Sequence, residues 1–133
     1  MAACKHEPIY IGVVNLMNNK RAIGAVDVWM CKLCKEVFCD EKRWGETEVS
    51  KGLGFTGSKK GHRWAILVCR GVDKIEWALT QVYVGETLTH RCSSSDEAVF
   101  KVGDDFKIRF EGSPRNEHTL YLVEQYINKT ISV

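Results

Sequence analysis

Two short pairs of residues are the best placed in this chain to do chemistry: Cys4-Lys5-His6 near the start, and Cys31-Lys32-Leu33-Cys34 a hairpin's length later. Thiolate and imidazole suit zinc, which takes four donors in a tetrahedron. Two close-spaced pairs can close such a shell only if the chain between them doubles back on itself. Trp29 before the second pair and Val37-Phe38 after it supply apolar cover for the thiolates. The expectation is therefore one Zn2+ per chain, held by Cys4, His6, Cys31 and Cys34. Four protein donors fill the shell, whereas a hydrolytic zinc keeps a position open, so this site points away from an enzyme. A rival set would use Cys31, Cys34 and Cys39 with His62 or Cys69. It needs a longer loop closure and leaves Cys4 and His6 without a role. The plainest alternative is that the cysteines are buried reduced thiols and His6 a surface histidine.

On these residues the N-terminal part, roughly residues 3 to 40, resembles a zinc ribbon. Cys4-Lys5-His6 stands in place of the commoner first Cys-x2-Cys, and Cys31-Lys32-Leu33-Cys34 is the second knuckle. There are two departures. Lys35 occupies the position where ribbon knuckles usually carry Gly, and Cys39 offers a further thiol. The resemblance implies binding of nucleic acid or of a protein partner more often than catalysis.

A second candidate surface is basic. From residue 59 to 70 the chain carries Lys59, Lys60, Arg63 and Arg70 with no acid among them. Lys59, Lys60 and Arg63 could follow a phosphate backbone, and Trp64 either stacks a base or packs the core. The bland reading is a solvated loop running into a strand. Just before it, Gly52-x-Gly54-x-x-Gly57 matches a dinucleotide fingerprint in form only. No buried strand precedes it, and Ser58-Lys59-Lys60-Gly61-His62 starts no helix whose N-terminus could meet a pyrophosphate. A cysteine-dependent enzyme would need a low-pKa thiolate beside a histidine. Cys92 with His90 on alternate positions is the nearest approach, with no signature around it.

The elements that must position these residues read as strands. Residues 9–16 are β-branched and aromatic, and they end at Asn18-Asn19-Lys20, a turn that tolerates positive φ. A return strand over 22–30 then delivers the chain to Cys31. The charged stretch 40–48 reads as a loop or one helical turn. Further strands are predicted over 63–70, 74–84 and 86–90, although an Asp73/Glu76 capping pair would also permit a helix over 74–82. Ser94-Ser95-Asp96-Glu97 is a second capping-box candidate that could start a short turn of helix through Phe100. Phe106, Ile108 and Phe110 alternate with Asp105, Lys107 and Arg109, the clearest strand pattern, and 119–127 is expected to return as its hairpin partner. The fold class is mainly β: an N-terminal zinc-ribbon-like β-hairpin and a C-terminal antiparallel sheet or small barrel. The expected domains are a module over 1–49, a Gly-rich loop or linker over 50–62, and an antiparallel β domain over 63–133.

The whole chain sets the outer bounds. Its 133 residues are 44% hydrophobic and 27% charged, a globular composition that argues against disorder. The 19 Lys plus Arg against 17 Asp plus Glu leave a net charge of +2, so nucleic-acid binding would have to come from local clustering. The N-terminus reads as carrying no secretory signal, and no apolar run approaches the ~20 residues of a membrane span. The expectation is a cytoplasmic protein, or one of the host cytoplasm or nucleus if viral, with six cysteines kept reduced or bound to metal. The expected function is a small zinc-binding, non-enzymatic nucleic-acid-binding accessory or regulatory protein. The alternative is a protein-interaction or inhibitor module, such as a viral or phage accessory protein engaging a host factor.

Overall fold

The computed structural model describes residues 4–43, 61–71, 75–93, 96–112 and 116–133. Among them the chain is mainly β, with three sheets, no closed barrel and a single 3-10 turn, Val123–Gln125. It divides into two compact units. One is built from residues 4–43 together with Glu124–Val133, the other from residues 61–123.

The first unit starts with β1 (Pro8–Asn18) and β2 (Arg21–Cys31), an antiparallel hairpin. Asn19 and Lys20 form its two-residue turn with φ of 48° and 66°, the left-handed pair that matches the strands' twist. The register places Pro8 opposite Cys31, so the hairpin returns the second cysteine pair to the chain's start, as the spacing requires. β3 (Val37–Arg43) adds to β2, and over 40–43 it replaces the loop or helical turn to which the charged sequence points. The charged run is misleading because its charges are paired within the sheet. Glu41 and Arg43 lie 3.7 Å apart with side chains only 14% and 18% exposed, and Lys42 reaches Asp27 on β2 at 3.0 Å. β10 (Thr130–Ser132) completes the order β10-β1-β2-β3, lying parallel to β1 with Ile131 opposite Leu16. The last ten residues thus join the first unit, whereas the sequence pattern groups them with 63–133. Cross-strand pairing sets Val14, Leu16, Val26, Val28, Cys39 and Ile131 on one face, and all are buried.

The second unit holds two three-stranded sheets. In one, β4 (Arg63–Arg70) lies between β5 (Ile75–Val82) and β9 (Glu117–Leu122), all antiparallel. In the other, β7 (Asp96–Val102) lies between β6 (Thr87–Ser93) and β8 (Ile108–Phe110). The sheets share an apolar interior. Ala65, Val82 and Leu122 from the first pack with Val102 from the second, and Leu67 packs with Ala98 and Phe100. Residues 75–82 therefore take the strand option over the helix. The turn of helix that Ser94 could start is replaced by β7, which alternates Ala98, Phe100 and Val102 into the core. The hairpin expected between 105–110 and 119–127 does not form. Phe106 sits in a turn with φ of 58°, β8 pairs back onto β7, and β9 crosses to lie beside β4. No helix among the described residues is long and apolar enough to cross a membrane.

Candidate metal centre

The four residues singled out by spacing converge at the end of the β1–β2 hairpin. Their ligand atoms all lie within 4.8 Å of one another, an arrangement that could hold a metal ion. Cys4 Sγ is 3.8 Å from Cys31 Sγ, and Cys34 Sγ is 3.5 Å from His6 Nδ1. A tetrahedral ion with bonds of about 2.3 Å to sulfur and about 2.0 Å to nitrogen puts neighbouring sulfurs about 3.8 Å apart and a sulfur and nitrogen about 3.5 Å apart. The observed separations match that frame.

Local backbone chemistry builds the knuckle. The Lys35 N–H donates to the Cys31 carbonyl at 3.0 Å, and the Cys31 N–H donates to the Glu36 carbonyl at 2.8 Å. The Lys32 N–H donates to the Glu7 carbonyl at 2.9 Å, tying the knuckle to the segment that carries His6. The turn requires Lys35 to adopt φ of 66°, the conformation for which Gly is the usual choice. The Cys34 N–H points at Cys31 Sγ at 3.5 Å. This backbone donor is the main reason the Cys31 thiol is drawn down to about 5, with further help from His6 and against the cost of desolvation. Cys4 is driven the opposite way, to about 12, first by desolvation and then by its neighbours Cys34 and Cys31. A divalent cation would reverse that shift for Cys4.

The histidine is oriented from behind. Its Nε2 lies 3.5 Å from Glu36 Oε2, and its ring meets Phe38 edge-on at 5.0 Å. With Nε2–H directed to the carboxylate, Nδ1 is left with its lone pair toward the sulfurs. Exposure grades across the site, from fully buried Cys31 to exposed His6 and Cys34.

The other candidates fall elsewhere. Cys39 lies on the buried face of the first sheet, outside the cluster, and burial pushes its thiol up to about 12. His62, in the second unit, faces Glu86 at 3.4 Å and meets the Tyr83 ring at a tilt of 50°, 4.5 Å between centroids. Lys59, Lys60 and the Gly52-x-Gly54-x-x-Gly57 run lie outside the described residues. Arg63 places its guanidinium 4.6 Å from the centroid of the Phe106 ring, and Trp64 is 6% exposed, the packing option of the two the sequence left for it. The Cys92 side chain is also outside the described set. His90 meets a partner no sequence spacing suggested: with Cys69 and His118 it forms a second cluster in the second unit. Sequence spacing gives no reason to join Cys69 to His90, and none to single out His118. A further feature at the knuckle is the strong exposure of Ile9, Tyr10 and Leu33, with Lys5, Lys32 and Lys35 also exposed around them in sequence.

Comparison with known proteins finds no matching family, curated protein or solved structure.

Proposed function

We propose that this chain is a small zinc-binding, non-enzymatic protein whose metal knuckle presents a nucleic-acid-binding surface, in an accessory or regulatory role. The observation that carries the reading is the four-donor cluster, whose ligand atoms all lie within 4.8 Å of one another. A closed Cys3His shell favours zinc and offers no position for substrate. The ion's role is then to fix a surface. Lys5, Lys32 and Lys35 are exposed at the cluster, and the neighbouring Tyr10 is 56% exposed, which supplies the phosphate-contacting charge and aromatic face that single-stranded nucleic acid uses. Lys59, Lys60 and Arg63 would supply phosphate contacts of their own. Trp64 contributes through the core.

The test is fluorescence anisotropy of the zinc-loaded chain with labelled single- and double-stranded RNA and DNA over a salt series. Three phosphate contacts give a slope of roughly 2–3 in log affinity against log salt. The Lys5→Ala/Lys32→Ala/Lys35→Ala variant should lower both affinity and slope while keeping its zinc. If the parent binds none of these nucleic acids at low salt, the reading is wrong.

A second reading has its own support. Ile9, Tyr10 and Leu33, at 45%, 56% and 58% exposure, place apolar surface at the knuckle end, where a protein partner would dock. Binding there would vary little with salt. A closed four-donor shell supports a non-catalytic role for the knuckle itself in both readings.

A further inference from the structure

The second cluster lies in the interior between the two sheets of the second unit. Cys69 on β4 and His118 on β9 are directly paired across the strands, so their side chains leave the same face. Cys69 is also paired with Glu76 on β5, which completes a row Glu76–Cys69–His118 across that sheet. Leu67 and Leu120 pair directly on this face and pack toward Ala98 and Phe100, so the row faces the other sheet. From that sheet comes His90 on β6, itself paired with Ala98. The donor atoms of Cys69, His90 and His118 lie within 4.8 Å of one another.

The contacts of His118 direct one of its ring nitrogens, Nε2, toward His90. His118 is 5% exposed and is enclosed by the rings of Phe100 and Phe110, at 6.1 and 5.8 Å between centroids. Its Nδ1 lies 3.0 Å from the Asn116 carbonyl, which can only accept, so Nδ1 carries the proton and Nε2 presents a lone pair. That Nε2 is 3.1 Å from His90 Nδ1. Two imidazole nitrogens on one tetrahedral zinc stand about 3.3 Å apart. An outer carbonyl holding the far nitrogen of a histidine is the usual way a ligating imidazole is fixed.

We propose that Cys69, His90 and His118 form a second site for a zinc-class divalent cation, independent of the knuckle, which fastens β6 of one sheet to β4 and β9 of the other. One thiolate and two imidazoles form a donor set suited to zinc. Three protein ligands leave the fourth position to a water, with the Glu76 carboxylate on the neighbouring strand.

The competing account is a plain His90–His118 hydrogen bond with Cys69 as a neighbour, and metal counting separates the two. Protein stripped with chelator is reloaded with zinc sulfate, freed of excess, and assayed for zinc per chain by elemental analysis. The parent should hold two ions, the Cys31→Ser/Cys34→Ser variant one, and the His90→Gln variant one. The amide introduced by His90→Gln can still bond His118, so that variant keeps its fold if the histidine is only structural. In cobalt-loaded Cys31→Ser/Cys34→Ser protein, a thiolate charge-transfer band should appear and vanish on adding Cys69→Ala. A His90→Gln variant holding as many ions as the parent overturns the site. A parent with one ion that His90→Gln removes would support this site and refute the knuckle, so the two failures are distinguishable.

Discussion

At the scale of single residues, the knuckle depends on groups that are not ligands. Glu36 acts twice: its backbone carbonyl accepts from the Cys31 N–H, and its carboxylate fixes the His6 ring. Glu36→Ala removes only the second contact. Loss of such an outer partner weakens metal binding by roughly 10- to 100-fold, which competition with a chromogenic chelator would measure. An unchanged affinity would show that His6 needs no orienting carboxylate. Lys35 is conformationally strained at φ of 66°, and Lys35→Gly should raise thermal stability by about 0.5–1 kcal/mol at unchanged metal content. Cys39 gives a pH prediction. Its thiol rises from 9.0 to about 12 in the folded state because burial disfavours the thiolate. A raised folded value means the contribution is fully present below pH 9 and is lost as pH climbs through the window up to about 12. Chemical denaturation across that window should show a shallower alkaline decline for Cys39→Ala than for the parent, after the variant's lower starting stability is subtracted.

At the scale of elements, the metal and the sheet divide the work along the β1–β2 hairpin. The sequence suggests that an isolated hairpin would be marginal without metal, and a two-stranded ribbon alone would be. Here β3 and β10 flank it. The end near Asn15 to Met17 is held by β10, whereas the end near Cys31 is tied by the knuckle bonds to Glu7 and Glu36. Chelation should therefore free the amides of Cys31, Lys32 and Lys35 to exchange while those of Leu16 and Val26 stay protected. Uniform loss of protection along the hairpin would mean that the metal supports the whole sheet. The same contrast explains what the sequence revealed. The hairpin and its ligands were legible because alternation, a left-handed Asn-Lys turn and close cysteine spacing are local signals. β3 was hidden because Glu41 and Arg43, on its buried face, neutralise each other and break the apolar alternation. The pairings of β8 and β9 were hidden because strand partners are chosen by tertiary packing, which also set Phe106 in a turn. The Cys69, His90 and His118 cluster was illegible for the same reason: its members sit on three strands, and only the β4–β9 register makes two of them neighbours.

At the scale of the whole molecule, the chain leaves the first unit after β3 and comes back to it at its end. The return is secured at one narrow place. The Asn128 N–H donates to the Val13 carbonyl at 2.7 Å, and the Asn15 N–H donates to the Lys129 carbonyl at 3.1 Å, so the segment after the 3-10 turn runs tight against β1. Gly12 makes this approach possible. It sits at a register shift in β1, and a Cβ placed on it would lie 2.5 Å from Ile127 Cγ2 and 2.6 Å from Asn128 Oδ1. Those are overlaps with side-chain atoms that have little room to move: Cγ2 sits on the branched Cβ of Ile127, and Asn128 Oδ1 accepts from the Val13 N–H at 3.4 Å. Gly12→Ala should therefore lift Glu124–Val133 off β1, at a cost of about 1–3 kcal/mol by analogy with overpacked cores. The expected signature in hydrogen exchange is loss of protection at Asn15 and Asn128 with no change at Ile66 to Cys69 in the second unit. Ile131→Ala is the companion variant. It deletes a side chain that is 2% exposed and should cost about 2–4 kcal/mol through the same strand without touching the crossing. If Gly12→Ala leaves protection at Asn128 intact while Ile131→Ala removes it, the strand pairing alone secures the C-terminal return and the crossing at Gly12 contributes nothing to it.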